Sequence, residues 1–483
     1  MATKQKSVKM NMVMNALLTI SSLIFPLITF PYASRILLPE GTGKVGFATS
    51  VVSYFAMFVS LGIPMYGVKA CAKVRDDREK LSRLVHELLM ISFTMIVVVY
   101  SVFLVAVNVV PRIKEEKTLF FVISATIILN ALGCEWLYKA LEEYTYITVR
   151  SIVFKFIALV ALFVLVHEKS DYVLYGGITI FAASASNVLN FINMRKHISF
   201  KWLGGYNLRQ HFKMIMVFFS MSIATTIYTN LDNVMLGFMK GDVEVGYYTA
   251  AVKIKNILMG IVTSASTVLL PRASYYVDKN MMDEFYRILK KTMHFIILMA
   301  FSFSAYFIIF AREGVLFLSG DAFEGAILPM MVIMPTLLLI GITNVTGIQM
   351  MVPLGMEKQV LLSEIIGAVV DLVLNMIFIP MYGALGAAIG TLVAEIFVML
   401  YQLYAIRRVD THVFGDVPWL KVILATALAA TACIWVKLAG LGVFLSLAAS
   451  AVCFFGVYGG VLLLAKDGLV TEIFGQVMRK LRR

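Results

Sequence analysis

Apolar runs of about twenty residues recur along almost the whole chain, and they limit the fold more than any other feature. An α-helix rises about 1.5 Å per residue, so each run can cross a hydrocarbon core of roughly 30 Å. The chain is 60% hydrophobic and 15% charged, with a mean hydropathy of +0.86. A soluble protein could not bury that much apolar surface. The sequence therefore predicts an all-α polytopic membrane protein.

The apolar runs predict about 14 transmembrane helices. Pro26 and Pro31 are expected to kink the first of them, because proline lacks an N–H donor. The predicted spans are 9–36, 45–68, 84–110, 118–138, 147–166, 173–194, 212–238, 245–271, 288–311, 326–350, 360–380, 384–406, 419–437 and 441–464.

The distribution of lysine and arginine predicts the orientation. With the N-terminus in the cytoplasm, most of the 42 basic residues fall in inner loops and tails, as the positive-inside rule requires. The first apolar run is too long for a signal peptide, so we expect an uncleaved helix. The sequence thus predicts a multi-pass protein of the cell (plasma or inner) membrane with both termini cytoplasmic. The net charge of +13 is explained by this topology and indicates no nucleic-acid partner.

Three inner segments are expected to be short amphipathic helices on the membrane surface: 70–83, 272–287 and the tail 469–483. Their basic residues would contact an anionic inner leaflet. Membrane lipid is therefore an expected partner.

The two halves of the chain share an internal repeat. The Val-Gly-Tyr of 245–247 with Thr249 repeats the Val-Gly-Phe of 45–47 with Thr49. The repeat unit has six helices, and an even number means that both copies enter the membrane in the same direction. We therefore expect two pseudo-symmetric six-helix lobes around a central cavity that holds the substrate site. The predicted divisions are 1–210 for the first lobe, 211–410 for the second, and 411–483 for two C-terminal helices with a basic amphipathic tail.

Conventional catalytic and metal-binding motifs are absent from the sequence. The Gly-Thr-Gly-Lys of 41–44 resembles part of a phosphate loop, but Val45 stands where that loop needs Ser or Thr. The four cysteines have no paired spacing, and all six histidines fall in loops or near helix ends, where a solvated histidine is expected. The outer loops are too short for a catalytic domain. The sequence therefore predicts a transporter, not an enzyme, with no cofactor beyond a Na⁺ or H⁺ gradient.

Basic residues in or beside the predicted crossings are candidates for binding an anionic headgroup such as a pyrophosphate. A charge inside an apolar helix costs roughly 2.5–3.5 kcal/mol on insertion scales, so it marks a functional site by default. Lys155 and Lys253 lie about 13 Å into their helices at 1.5 Å per residue, and Lys255 points away from Lys253. The candidates are Arg35, Lys69, Lys73, Lys155 and Lys253.

Each of these basic residues also has a structural explanation. Arg35 and Lys155 can extend toward a membrane interface, leaving their charged ends in water. Lys253 can pair with Asp232 on the neighbouring helix. Lys69 and Lys73, at the end of the second predicted helix, are equally explained by anchoring of that helix on the cytoplasmic side.

A second group of polar residues is a candidate for cation or proton coupling. Side chains four positions apart share a helix face, and two such pairs occur in the second half of the chain. Their oxygens could hold a hard cation, with Na⁺ at Asp232, Asp371 and Asn375, or the acids could carry protons. Hydrogen bonding between helices, worth roughly 0.6 kcal/mol on average, is the alternative. The candidates are Asp232, Asp371, Asn375, Thr391 and Glu395.

Several segments resemble one family of membrane transporters. They are the Phe-Pro-Tyr-Ala-Ser-Arg-Ile-Leu-Leu-Pro-Glu-Gly of 30–41, the Leu-Gly-Ile-Pro-Met-Tyr-Gly of 61–67, the Glu-Trp of 135–136 followed by 142–144, the Asp-Asn-Val-Met-Leu-Gly of 232–237 with 245–251, and 371–388. Their order and spacing resemble the polysaccharide repeat-unit flippases, the Wzx-like O-antigen, capsule and teichoic-acid translocases. These belong to the multidrug/oligosaccharidyl-lipid/polysaccharide exporter superfamily. In relatives a glycine often follows the Arg-X-Leu of the first motif, where this chain has Leu38.

The resemblance implies an alternating-access flippase that moves undecaprenyl-pyrophosphate-linked oligosaccharide from the cytoplasmic to the outer leaflet for cell-surface polysaccharide assembly. In related lipid II flippases, basic residues of the first lobe engage the diphosphate and acids of the second lobe can hold a cation. The implied partners are a polyprenyl-pyrophosphate-linked glycan and the machinery that polymerises and assembles glycans.

Two other functions remain open at this stage. A cation-coupled multidrug exporter of the same superfamily would share the fold, although basic cavity residues disfavour cationic drugs. A polytopic polysaccharide polymerase or ligase would need a large outer loop, which the sequence lacks.

Overall fold

The computed structural model describes residues 8–407 and 417–481. The described residues form helices joined by short turns, and no β-strand occurs among them. They divide into two compact units, Met1–Gly246 and Tyr247–Arg483. The all-α membrane fold predicted from the apolar runs is therefore confirmed. The lobe boundary at 210/211 stays a prediction.

The described residues of the first unit form ten α-helices and the beginning of an eleventh. They are α1 (Val8–Ser60), α2 (Ile63–Val74), α3 (Arg78–Val109), α4 (Pro111–Glu115), α5 (Lys117–Leu132), α6 (Glu135–Ala140), α7 (Tyr144–Leu165), α8 (Tyr172–Ile180), α9 (Asn187–Asn193), α10 (Arg209–Met239) and the start of α11 (Asp242–Val262). Short 3₁₀ segments at Lys169–Asp171 and Met194–Lys196 and a π-helical segment at Phe181–Ala185 complete it.

In the second unit, the residues that the structure describes form the rest of α11 and eleven further α-helices. They are α12 (Ser264–Asp278), α13 (Met282–Ile309), α14 (Ala311–Ser319), α15 (Ile327–Ile333), α16 (Thr336–Thr343), α17 (Glu357–Tyr382), α18 (Ala384–Ile406), α19 (Trp419–Ala432), α20 (Ile434–Leu438), α21 (Val443–Leu464) and α22 (Gly468–Leu481). A 3₁₀ segment at Asp321–Ala326 precedes α15, and a π-helical segment at Asn344–Met351 follows α16.

The predicted number of fourteen crossings is not confirmed. Among the described residues, eleven helices are long and apolar enough to cross a membrane, or twelve if the bent pair Asp321–Ile333 and Thr336–Met351 is one span. One reason is that the predicted spans 9–36 and 45–68 lie in a single helical stretch without an intervening loop. The other is that α11, which corresponds to the predicted span 245–271, is not among these helices.

A sharp change of backbone direction interrupts α1 at Leu38. Its φ of 58° and ψ of −179° lie in a region that is essentially restricted to glycine. Pro39 follows and cannot donate the helical hydrogen bond at this point. The position where relatives often carry glycine is thus a true break in the helix, and here a leucine occupies it under strain.

A second break separates α1 from α2 at Leu61 and Gly62, whose φ values are 45° and 72°. A Cβ on Gly62 would lie 2.6 Å from backbone atoms of Phe218 and Phe219 in α10. Only a glycine therefore lets the start of α2 approach α10 this closely.

Gly43 of the Gly-Thr-Gly-Lys segment and Gly246 of α11 each allow two backbone segments to approach closely. A Cβ on Gly43 would lie 1.8 Å from the carbonyl oxygen of Asp242, and one on Gly246 would lie 2.1 Å from that of Pro39. Lys44 pairs with Glu116 at 2.9 Å. These contacts fasten the α10–α11 turn against the second half of α1.

The C-terminal helix α22 packs on the second unit. Lys291 of α13 lies 2.7 Å from Glu472, and His294 lies 3.0 Å from the buried carboxylate of Asp467. Asp467 also accepts hydrogen bonds from the first backbone N–H groups of α22. The tail is therefore a helix tied to α13. Its predicted contact with lipid stays a prediction.

Candidate functional site

A cavity of about 500 Å³ lies beside the turn between α2 and α3 in the first unit. We refer to it as the basic pocket. α2, α3 and α10 all contribute to its lining, so it exists only because these three helices pack together. The polar lining residues are Tyr66, Lys69, Lys73, Lys80, Arg83, Glu87, Gln210 and His211.

The four cations of the basic pocket come from two helix faces. Lys69 and Lys73 are four residues apart on α2, and Lys80 and Arg83 are three apart on α3, so each pair shares a face. Like charges at these spacings repel each other. An anion placed between the two helices would relieve that repulsion.

Two acidic residues pair with two of the cations of the basic pocket. Asp77 lies 3.0 Å from Lys80, and Glu79 lies 3.6 Å from Arg83. Both pairs are exposed, and exposed ion pairs contribute only about 0–1 kcal/mol. Asp77 caps α3, and the backbone N–H and ammonium of Lys80 hold the pKa of its carboxyl below the usual value.

Arg83 adds a guanidinium to the lining of the basic pocket. A guanidinium presents its N–H groups in a planar fork that matches phosphate and carboxylate oxygens. The chemistry of Arg83 therefore suits an anion with several oxygens.

A buried hydrogen-bonded chain forms the inner wall of the basic pocket. His211 Nε2 lies 2.7 Å from Glu87 Oε2, and His211 Nδ1 lies 2.7 Å from the hydroxyl of Tyr66. The other carboxylate oxygen of Glu87 accepts from the backbone N–H of Asn207 at 2.7 Å, and Gln210 adds a contact of 3.1 Å. These partners fix the Glu87 carboxylate in place, and its single negative charge faces the four cations of the lining.

Two sequence expectations are wrong here. His211 is 3% exposed and hydrogen-bonded, not solvated. The segment 70–83 is not a separate surface helix, because α2 runs to Val74 and α3 begins at Arg78. Sequence reasoning found two of the four cations but missed Lys80 and Arg83. Their spacing on the face of α3 that also carries Glu87 was the available signal.

Arg35 and Lys155 lie away from the basic pocket. Arg35 is exposed on α1 and donates a hydrogen bond from Nη1 to the carbonyl of Pro31 at 2.6 Å. Lys155 of α7 donates to the hydroxyls of Ser21 and Ser22 in α1, at 3.0 and 2.7 Å. In this structure Lys155 joins two helices, and its predicted role toward substrate stays a prediction.

Arg150 is a buried cation that the sequence analysis did not identify. It is 6% exposed, and its Nη1 donates to the Ser186 carbonyl at 2.6 Å and to Asn187 Oδ1 at 3.1 Å. Its Nη2 also lies 3.5 Å from Glu135. Asn187 in turn donates to Asn130 of α5 at 3.1 Å. Arg150 thus orders a polar network among α5, α7 and α9.

The polar candidates of the second unit lie on two adjacent helices. Asp371, Asn375, Thr391 and Glu395 are all buried, on the adjacent helices α17 and α18. A Cβ on Gly390 would lie 2.4 Å from Asn375 Oδ1 and 3.2 Å from Asp371 Oδ1. Gly390 therefore lets both side chains approach α18.

Tyr248 of α11 completes this oxygen-rich group, since its hydroxyl lies 2.9 Å from that of Thr391. Sequence reasoning missed both Tyr248 and Gly390. Carboxylate, amide and hydroxyl oxygens are the donors that hard cations prefer, so the group fits Na⁺ by its chemistry. Among the described residues, no cluster of three or more His, Cys, Asp or Glu side chains could hold a metal ion.

The remaining two candidates belong to different units. Asp232 is buried in α10 of the first unit. Lys253 is half-buried in the part of α11 that belongs to the second unit. A role for Asp232 beside Asp371 and Asn375 stays a prediction, as does headgroup binding by Lys253.

Comparison with known proteins identifies related sequences along most of the chain. A family model described as "Polysaccharide biosynthesis protein" matches residues 8–277. The "Putative O-antigen transporter" of Escherichia coli (strain K12) is 27% identical over 415 residues, covering 84% of this chain and 99% of that protein. A protein of the same name from Shigella dysenteriae is 24% identical, covering 83% of this chain and 100% of that protein.

Solved structures share the fold. The lipid II flippase MurJ in an inward closed conformation matches with a TM-score of 0.73 and 15% identity, over 98% of this chain and 100% of that one. An inward-facing MATE family multidrug resistance transporter of the MOP superfamily matches with a TM-score of 0.61 and 15% identity, over 83% and 100%. At these identities the likeness concerns the fold alone.

Proposed function

This chain belongs to the polysaccharide biosynthesis protein family, and from that premise we propose that it is a flippase for polyprenyl-pyrophosphate-linked oligosaccharides. It would carry them from the cytoplasmic to the outer leaflet of the cell membrane, with both of its own termini cytoplasmic. The E. coli and Shigella relatives named as O-antigen transporters support this cargo class. Transport of this kind changes no covalent bond.

The basic pocket is the observation that carries the proposal. A pyrophosphate is a compact anion with several oxygens, and it needs several cations held in one place. Lys69, Lys73, Lys80 and Arg83 line one cavity of about 500 Å³, and their four positive charges exceed the single negative charge of the Glu87 carboxylate in the same lining. A cationic drug would be repelled by the same arrangement. The pocket therefore favours the lipid-linked glycan over the multidrug substrates of the superfamily.

Direction requires an energy source beyond binding. A ligand shifts a conformational equilibrium only by its differential affinity for the two states. We propose that Na⁺ or H⁺ binds at the oxygen group formed by Asp371, Asn375, Thr391 and Tyr248, with Glu395 one turn away on α18. The tight approach of Asn375 to Gly390 supports a site that is sensitive to small changes in helix packing.

The test is reconstitution of the full chain in liposomes that contain a fluorescent polyprenyl-pyrophosphate oligosaccharide. The loss of inner-leaflet label is followed with and without a Na⁺ or H⁺ gradient. We expect the wild type to translocate the lipid and the double variant Lys73→Gln/Arg83→Gln to slow translocation by at least about tenfold, since a lost charged hydrogen bond is worth roughly 1.5–3 kcal/mol.

The matched control is Lys196→Gln, which removes an exposed positive charge that does not line the basic pocket. It should translocate at the wild-type rate. Normal translocation by the pocket variant would retain the flippase but reject the basic pocket. Absence of lipid translocation together with efflux of cationic dyes would assign the chain to the drug exporters.

A further inference from the structure

A second polar cavity, of about 540 Å³, lies in the first unit. Nine of its sixteen lining residues carry hydroxyl or carboxamide side chains, and none of the sixteen is charged or aromatic. We refer to it as the neutral cavity. Its polar lining comes from α1, α5, the π-helical segment and α10, and includes Ser53, Thr126, Asn130, Ser184, Thr226 and Asn230.

The neutral cavity combines apolar surface with many uncharged polar groups. Small-molecule sites of roughly 300–1,000 Å³ are mostly apolar with a few polar groups. Here nine lining residues offer hydroxyl or amide groups, and each can both donate and accept hydrogen bonds. That chemistry suits a ligand rich in hydroxyls. It suits neither a phosphate, which needs cations, nor a cationic drug, which needs acids or aromatic rings.

Part of the lining is held in place by hydrogen bonds from behind. The hydroxyls of Thr126 and Ser184 lie 3.0 Å apart across the cavity wall. Asn130 Oδ1 accepts a hydrogen bond from Asn187, which also contacts the buried Arg150. The Arg150 network therefore fixes one wall in position and reduces the entropy lost when a ligand binds.

The neutral cavity and the basic pocket follow one another along two shared helices, α2 and α10. On α2, Met65 lines the neutral cavity and the adjacent Tyr66 lines the basic pocket. On α10, Met214 lines the basic pocket and Ser222 lines the neutral cavity, which at 1.5 Å per residue separates them by about 12 Å along the axis. The close approach of Gly62 to Phe218 lies between them.

We propose that the neutral cavity is a subsite for uncharged sugar, placed so that a glycan enters it while the attached diphosphate occupies the basic pocket. This inference rests on the proposed function and adds which chemical part of the substrate each cavity binds. Recognition is by hydrogen bonding and not by stacking, because the lining has no aromatic ring. Sugar selectivity then belongs to the neutral cavity and anion affinity to the basic pocket.

The test measures binding to the purified full chain in detergent by isothermal titration calorimetry. One probe is farnesyl diphosphate, which has no sugar. The others are farnesyl diphosphates that carry a single glucosyl, galactosyl or N-acetylglucosaminyl group. We expect at least one sugar-bearing probe to bind about tenfold more tightly than the sugar-free probe, as one or two net hydrogen bonds would provide.

The double variant Thr226→Val/Asn230→Leu removes hydrogen-bonding groups from the neutral cavity with little change of volume. It should lose the tenfold preference and keep wild-type affinity for farnesyl diphosphate. The matched control is Thr225→Val, the same substitution at the adjacent, exposed residue of α10 that does not line the cavity. Thr225→Val should retain the preference.

The outcomes separate the two proposals. Equal affinity for every probe in the wild type, or equal weakening of all probes by the cavity variant, would overturn the sugar subsite and leave the basic pocket standing. Absence of binding by any probe would overturn the proposed function and the subsite with it. Loss of the preference in Thr225→Val as well would show that α10 itself, and not the cavity lining, is responsible, and would overturn the subsite.

Discussion

The imidazole of His211 joins the carboxylate of Glu87 and the hydroxyl of Tyr66, each at 2.7 Å. His211 and Glu87 are separated by more than a hundred residues in the chain and are both nearly inaccessible to solvent. A neutral imidazole satisfies both contacts, since Nε2–H can donate to the carboxylate while Nδ1 accepts from the phenol. These two hydrogen bonds link α2, α3 and α10 at the wall of the basic pocket.

Replacing His211 by alanine should therefore destabilise the protein. The buried Glu87 carboxylate would lose its closest side-chain partner, and leaving a buried polar group unsatisfied costs about 1–3 kcal/mol. We expect a clear fall in the melting temperature of the detergent-solubilised protein. His167→Ala, at an exposed loop position, serves as the control and should melt like the wild type. Equal melting of both variants would show that the pair contributes nothing to stability.

Replacing Gly390 by alanine should disturb the oxygen group of the second unit. The new methyl group would lie 2.4 Å from Asn375 Oδ1, so the Asn375 side chain or α18 would have to move. We expect lower thermal stability and loss of any Na⁺ or H⁺ dependence of translocation. Gly459→Ala in α21 is the matched control, because a Cβ there meets nothing within 4 Å and alanine favours helix by roughly 1 kcal/mol.

Replacing Leu38 by glycine should cost less than the same change elsewhere in α1. Glycine adopts the observed φ and ψ without strain, which relieves about 1–3 kcal/mol and offsets the lost side-chain packing. Leu17→Gly, within the regular part of the helix, has no such compensation. Thermal melting of the two variants would test this. A larger loss of stability for Leu38→Gly than for Leu17→Gly would contradict the inference that the backbone of Leu38 is strained.

Replacing Lys155 by methionine should weaken the contact of α7 with α1. Hydrogen bonds between membrane helices contribute roughly 0.6 kcal/mol on average, so the expected loss of stability is small. Combining it with Ser21→Ala/Ser22→Ala should add little, because both changes remove the same hydrogen bonds. Affinity for farnesyl diphosphate should be unchanged. Weaker diphosphate binding in Lys155→Met would instead assign this lysine to the anion site.

Hydropathy alone predicted the class of protein and most of the helices. The apolar runs beginning near 84, 118, 360 and 384 correspond to α3, α5, α17 and α18. Transfer of a segment into a bilayer depends on its own side chains, so a membrane-spanning helix can be predicted from the local sequence alone. Helix breaks are harder to predict, because Leu38 and Gly62 depend on backbone geometry and on neighbouring helices.

The sequence by itself also determined the chemistry available: which helices carry charges, and that Asp371 and Asn375 share one face. Only the tertiary structure decided which of these side chains meet. Lys69 and Lys73 gain Lys80 and Arg83 as neighbours because α2 and α3 pack on α10. The neutral cavity draws its polar lining from four separate elements whose hydroxyls and amides are individually unremarkable. Spacing along one helix is set by its 3.6-residue turn, whereas proximity between helices is set by the packing of the whole unit.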